Sequence, residues 1–181
     1  MKKIFIILLI MFSFFSKSSA NYNELAYSFK FNNIDGGEVN LANFREKVIV
    51  VVNVASRCGF TGQYEGLQAL WSKYKNKDLI VIGVPTNNFK QEPGSNSEIK
   101  NFCETTFGVN FIMTKKTDVL GANAHPFYKW AKKNYGNSAV PKWNFHKIII
   151  NKEGKVSQTY SSITKPTSSK FINFIEKEIK N

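Results

Sequence analysis

Lys47–Phe60 reads K-V-I-V-V-V-N-V-A-S-R-C-G-F, a near-continuous β-branched run that passes through Ala55-Ser56 and delivers one cysteine, Cys58, just before a helical pattern. A half-exposed strand would alternate apolar and polar residues. A run without alternation suits a central strand covered on both faces, the kind found in α/β sheets. After Cys58, the residues Tyr64, Leu67, Leu70, Trp71 and Tyr74 recur at helical spacing, and Leu79–Pro85 (L-I-V-I-G-V-P) supplies a second buried strand. The stretch therefore predicts a β-α-β unit with Cys58 at its first strand-to-helix junction. A thiol at that junction faces unpaired backbone N–H groups and the positive end of the helix dipole, both of which favour the nucleophilic thiolate. Arg57, one step back, points to the opposite side of an extended chain and is read as a surface residue.

Working outward, Ala26–Asn32 and Glu38–Leu41 flank Asp35-Gly36-Gly37, the pattern of an N-terminal β-hairpin. Ser95-x-x-Glu98 is a capping-box signature, and Ile99, Phe102, Cys103 and Thr106 fall on one face of the helix it opens. Cys103 thus belongs to the inward stripe. His146–Ile150 and Lys155–Tyr160 bracket Asn151–Gly154 as a late hairpin, and Phe171–Ile179 has the spacing of a closing helix. Gly94–Ser97 and Tyr135–Lys142 read as loops, with no internal repeat and no low-complexity linker.

The chain has 181 residues with 43% hydrophobic content, enough for one domain with a substantial core. Lys2 and Lys3 precede an apolar run from Ile4 to Phe15, followed by Ser16-Lys17-Ser18-Ser19-Ala20, a small-x-small cleavage pattern. Twelve residues of helix span only about 18 Å, short of a ~30 Å hydrocarbon core. Residues 1–20 are therefore expected to be a signal peptide cleaved after Ala20, leaving an exported domain over residues 21–181, periplasmic or extracellular. Three of the 25 lysines and arginines lie in that leader, so 22 remain against 13 acidic residues, a net charge of +9. The excess is spread out, dense only at Lys129–Lys133 and Lys177–Lys180. Nucleic-acid binders concentrate basic residues on one element, so no nucleic-acid partner is expected, and at most a weak attraction to anionic membrane surfaces.

Cys58 and Cys103 are the only two cysteines. In an exported chain they are compatible with a structural disulfide. There is no C-x-x-C motif, the two-thiol signature of thioredoxin-type reductases. With two cysteines and two histidines the chain also lacks the ligands of a structural zinc site. No metal and no cofactor are expected.

N-V-A-S-R-C-G-F-T at 53–61, P-T-N-N-F-K-Q-E-P-G at 85–94, A-H-P at 124–126 and W-N-F at 143–145 together resemble the glutathione peroxidase family, over about Tyr27 to Tyr160. The resemblance implies a thioredoxin-like α/β fold, a central mixed β-sheet flanked by helices with an N-terminal β-hairpin. It implies a peroxidase in which Cys58 is peroxidatic and Gln91, Trp143 and Asn144 are its hydrogen-bonding partners. Such an enzyme reduces hydrogen peroxide and organic or lipid hydroperoxides through a sulfenic acid, regenerated by a thioredoxin-like protein or glutathione. A carboxamide and an indole N–H suit that work, being donors that stabilise a thiolate and a departing oxygen without a net charge of their own.

Two departures from the family pattern bear on the second half of the cycle. Thr86 stands where the family often has a cysteine, so Cys103 is the one internal candidate to resolve the sulfenic acid. Relatives with a resolving cysteine typically read F-A-C where this chain reads Phe102-Cys103, and one helical step rotates a side chain by about 100°. Cys103 is therefore read both as a resolving cysteine and as a core residue. The short segment from Trp130 to Trp143 lacks the insertion that makes oligomer contacts in tetrameric relatives, which implies a monomer with an open site. The alternatives from other classes are a non-catalytic domain stapled by Cys58 and Cys103, and a metal-binding thioredoxin-fold protein.

Overall fold

The structure, a computed structural model, describes residues 22–181; the leader expected over residues 1–20 lies outside them. Its centre is a five-stranded sheet in the order β5-β4-β3-β6-β7. Strands β3 (Val48–Val54) and β4 (Leu79–Pro85) pair in parallel across α1 (Gln63–Tyr74). Strand β5 (Ile112–Met113) extends the parallel side. Strands β6 (Lys147–Ile150) and β7 (Val156–Tyr160) add the antiparallel side. The sheet is therefore mixed, and β1 (Lys30–Asn32) and β2 (Glu38–Asn40) form the separate N-terminal hairpin.

The unbroken apolar run of β3 is explained by what covers it. Val48, Val50, Val52 and Val54 face a layer that contains Leu67 and Leu70 of α1, Ile99 and Cys103 of α2 (Asn96–Phe107), and Phe171 and Ile175 of α4 (Ser169–Lys180). Ile49 and Val51 face the other layer, with Phe127, Trp130 and Ala131 of α3 (Pro126–Tyr135) and Phe31 and Val39 of the hairpin. Period-2 alternation of direction thus survives while polarity does not alternate, because both faces are dry. Among the described residues no helix is long and apolar enough to cross a membrane.

Local signals held at several element ends. Ser95 accepts from the Glu98 N–H at 3.3 Å while the Glu98 carboxylate accepts from the Ser95 N–H at 2.7 Å, a complete capping box. Gly108 ends α2 in the left-handed conformation at φ 61°. Other readings are corrected. Ala26–Ser28 is a 3-10 turn and not part of a strand, and Asn137–Ala139, expected as loop, forms another. Helix α3 was not anticipated: its exposed face carries Lys129, Lys132 and Lys133, which masks the buried Phe127, Trp130 and Ala131 at i, i+3 and i+4. Its cap gives the A-H-P motif a structural meaning. His125 Nδ1 accepts from the Phe127 N–H at 3.2 Å, its Nε2 lies 2.9 Å from the Lys30 carbonyl, and its ring stacks on Phe31 at 4.2 Å. Burial holds its pKa below the usual histidine value, in keeping with a neutral ring whose Nε2–H donates.

The turn between β6 and β7 docks against the N-terminal segment, where the Ala26 N–H donates to the Gly154 carbonyl at 2.9 Å. Gly154 sits at φ +77°, and a Cβ there would meet Tyr27 Cε2 at 2.6 Å. Gly154→Ala is expected to destabilise the fold by about 2 kcal/mol, combining left-handed strain with overlap against a packed ring. In a thermal melt that is a fall of roughly 4–8 °C.

Candidate active site

Cys58 lies where β3 hands over to α1, but not on the helix itself. Four residues intervene, and they form tight turns in which Thr61 N–H donates to the Cys58 carbonyl at 3.1 Å and Tyr64 N–H to the Thr61 carbonyl at 2.9 Å. The thiol is 5% exposed, and the N–H that reaches its Sγ is that of Phe60, at 3.5 Å. A turn amide, not the helix terminus, is therefore what reaches the sulfur. Arg57 is exposed, as expected, but it lies in the turn after β3 rather than on a strand.

The loop after β4 is stitched onto the segment just before Cys58. Thr86 N–H donates to the Val54 carbonyl at 3.0 Å, prolonging the strand pairing, and Arg57 N–H donates to the Gln91 carbonyl at 3.0 Å. The strongest anchor was not foreseen. Glu92 is 1% exposed and its Oε2 accepts from both the Ser56 N–H at 2.7 Å and the Ser56 hydroxyl at 2.9 Å. Its own N–H donates to Asn87 Oδ1 at 3.0 Å. Burial raises the Glu92 pKa against the pull of those two Ser56 donors. The signal was present in the sequence as a charged residue inside Q-E-P-G, but nothing local says that the carboxylate turns inward. Thr86 is fully buried and bonded to Asn88 Oδ1 at 3.0 Å.

The third segment is the W-N-F turn. Asn144 is fully buried and donates through Nδ2 to Gln91 Oε1 at 3.0 Å. With its carbonyl occupied, the half-buried Gln91 presents its NH₂ side as the donor. Trp143 is 40% exposed and leans on Phe89, ring centroids 5.4 Å apart. Phe145 takes a left-handed φ of 64°, which is strained for an aromatic residue. The strain is held by Asn53, the one polar residue of β3. Its carbonyl accepts from the Phe145 N–H at 2.6 Å, and its Nδ2 donates to the Trp143 carbonyl at 3.1 Å. Asn53 was a second unforeseen positioning residue, legible only as a polar interruption in a valine-rich run.

The structure thus brings Gln91 and Asn144 into direct contact and binds both segments to the strand and turn that carry Cys58. It does not bring Cys103 into that group. Cys103 is 1% exposed on the inner face of α2, in the same core layer as Cys58, and both cysteines are free thiols. Burial pushes the Cys103 thiol up to about 11. His146 is buried, its Nε2 has no partner, and burial with Lys147 and Lys142 nearby lowers its pKa to about 4. Lys147 is fully buried and its pKa falls to about 7, while its Nζ donates to Gln63 Oε1 and to the Thr164 carbonyl. Among the described residues no three His, Cys, Asp or Glu side chains cluster so as to hold a metal ion. Past the Cys58 turn, and without Cys58 in its lining, runs an open groove of ≈ 580 Å³, walled by Gly59, Phe60 and Gln63 on one side and Ile163, Lys165 and Pro166 on the other.

A thioredoxin-type sheet that carries one thiol at the strand-to-helix turn, where disulfide exchangers carry a C-x-x-C pair, is the layout of a thiol peroxidase. The comparisons with known proteins agree. The family model of glutathione peroxidase matches residues 26–132. Hydroperoxy fatty acid reductase gpx1 of Synechocystis sp. is 45% identical over 157 residues, covering 82% of this chain and 93% of that protein. Glutathione peroxidase-like peroxiredoxin HYR1 of Saccharomyces cerevisiae is 48% identical over 139 residues, covering 74% and 85%. Among solved structures, Trgpx in its apo form superposes with a TM-score of 0.70 at 34% identity, covering 88% of this chain and 97% of that one. A thioredoxin-family thiol:disulfide interchange protein of Chlorobium tepidum superposes with a TM-score of 0.65 at 14% identity, which speaks to the fold alone. The chain belongs to the glutathione peroxidase family. It is an oxidoreductase that reduces peroxides through a thiol.

Proposed function

We propose that Cys58 is the peroxidatic residue and that Gln91, Asn144 and Trp143 form its donor set. The observation that carries this reading is the Asn144–Gln91 hydrogen bond, which fixes a carboxamide donor on a loop tied by Glu92 and Arg57 to the Cys58 turn. In the cycle, the Cys58 thiolate attacks one peroxide oxygen, the O–O bond breaks, and the leaving oxygen departs as water or an alcohol. Donors placed at that oxygen stabilise the charge it gains. Cys103 then condenses with the Cys58 sulfenic acid to a disulfide, releasing water, and a thioredoxin-like protein or glutathione reduces it. The two thiols are buried and unbonded as they stand, so α2 opens locally in this step.

The site is open, with Trp143 40% exposed, which favours organic and fatty-acyl hydroperoxides over hydrogen peroxide alone. The name of the Synechocystis relative fits that preference. The domain over residues 21–181 acts as a monomer after export and removal of residues 1–20, with no more than weak attraction to anionic membranes.

One equivalent of hydrogen peroxide added to the reduced protein, followed by mass spectrometry, tests the cycle. The expected product is a Cys58–Cys103 disulfide in the wild type, and a trapped Cys58 sulfenic acid in Cys103→Ser. Oxidation at Cys103 with Cys58 untouched would overturn the assignment. Asn144→Ala is expected to lower the rate of Cys58 oxidation by roughly 10²-fold, the typical cost of losing one positioned donor. Gln91 is half-buried and water can replace the lost partner, so the melting temperature should move by no more than a few degrees, an effect of about 1 kcal/mol.

A further inference from the structure

Tyr64 is a fully buried tyrosine whose hydroxyl has no hydrogen-bond partner in the structure. Such a group costs about 1–3 kcal/mol unless something offsets it, so its persistence in a dry core asks for a reason. Its ring bridges the two regions that the proposed cycle must join. On one side it meets Phe145 of the W-N-F turn edge-on, centroids 5.2 Å apart. On the other it meets Phe102, the α2 residue next to Cys103, at 6.5 Å, and Phe107 at 5.3 Å.

The hydroxyl is set against the Cys103 thiol, close enough that each perturbs the other, yet no hydrogen bond of normal geometry links them. Cys58 also lies within its electrostatic reach. Burial keeps the Tyr64 hydroxyl protonated, so it stands as a donor. The Cys103 thiol, pushed up to about 11, holds its proton at neutral pH, and Glu92 and Glu104 push it the same way while the Tyr64 hydroxyl opposes them. Cys103 as it stands is a poor nucleophile, and the Tyr64 hydroxyl is a proton donor set beside it.

We propose that the Tyr64 hydroxyl is the proton relay of the resolving step, linking Cys103 to the oxygen that leaves Cys58. The inference rests on the reading of Cys103 as the resolving cysteine. As α2 opens and Cys103 approaches Cys58, the Cys103 S–H proton passes to the Tyr64 oxygen, and the Tyr64 O–H proton passes to the hydroxyl of the Cys58 sulfenic acid. The Cys103–Cys58 S–S bond forms as the Cys58 S–O bond breaks. Both cysteine sulfurs end in the disulfide, water leaves, and Tyr64 is regenerated.

Tyr64→Phe tests this, since it keeps the ring packing and deletes only an unpaired hydroxyl. Stopped-flow oxidation of the reduced protein separates sulfenic acid formation at Cys58 from disulfide formation. Tyr64→Phe is expected to oxidise at the wild-type rate and melt at or above the wild-type temperature, while disulfide formation slows roughly 10- to 100-fold. Between pH 6 and 8 that slowed step should rise with pH, because solvent hydroxide must then take the Cys103 proton, whereas the wild-type step stays flatter. A Tyr64→Phe resolving rate within twofold of wild type, with the same pH profile, overturns the relay, while loss of thioredoxin-supported turnover in Cys103→Ser leaves the Cys103 reading standing. Unchanged thioredoxin-supported turnover in Cys103→Ser overturns both.

Discussion

Cys58→Ser is expected to remove hydroperoxide reduction with thioredoxin or glutathione as the reductant, lowering kcat/KM by roughly 10⁴ or more, on the scale of other nucleophile deletions. A sulfenic acid forms only on sulfur, and a hydroxyl in the same turn is a far weaker nucleophile. The fold should hardly notice. Cys58 is small and nearly enclosed, and the Phe60 N–H that reaches its sulfur finds an acceptor again in a serine oxygen. A full loss of turnover with a shift of only a few degrees in melting temperature would place the chemistry at this atom. Retained turnover would move it elsewhere in the chain.

The second large effect is expected at Glu92, which no reaction step touches. Glu92→Ala strands the Ser56 N–H and hydroxyl and frees the loop that presents Gln91. Leaving two donors without their acceptor costs about 3 kcal/mol, or a fall of roughly 6–12 °C in melting temperature. Misplacing Gln91 by about an ångström should slow Cys58 oxidation by up to ~10²-fold. Glu92→Gln keeps an acceptor for both Ser56 donors and should restore most of the rate. The pH dependence separates the two sources of stability. Burial raises the Glu92 pKa in the folded state, so between the ordinary carboxylate value and the raised one the folded protein holds a proton that the unfolded chain has lost. Stability from Glu92 is therefore full below that window and declines as pH rises through it. Urea midpoints at pH 4.5 and pH 7 should show Glu92→Gln gaining on the wild type at the higher pH. A constant difference between them would mean that the carboxylate is not desolvated as described.

Much of this architecture was legible because its causes are local or periodic. The β3 run, the α1 spacing and the Ser95–Glu98 box each state their structure within a dozen residues, and each is found in the structure. Helix α3 was missed because three lysines interrupt a ten-residue element whose four buried positions only tertiary packing makes decisive. Cys58, Gln91, Trp143 and Asn144 were picked out by motif. Glu92, Asn53 and Tyr64 were not, since each acts by where its polar atom points, and direction depends on which segments meet.

The sequence by itself determined that the protein is a mixed α/β domain with one thiol at a strand-to-helix junction, because hydrophobic period, capping chemistry and motif order are written along the chain. Only the tertiary structure decided what surrounds that thiol. Ser56 and Glu92 are 36 positions apart, Asn53 and Trp143 are 90 apart, and Gln91 and Asn144 are 53 apart. Hydrogen bonds between such partners exist only once the sheet has closed the loops between them, and burial then fixes which of these polar groups must be paired.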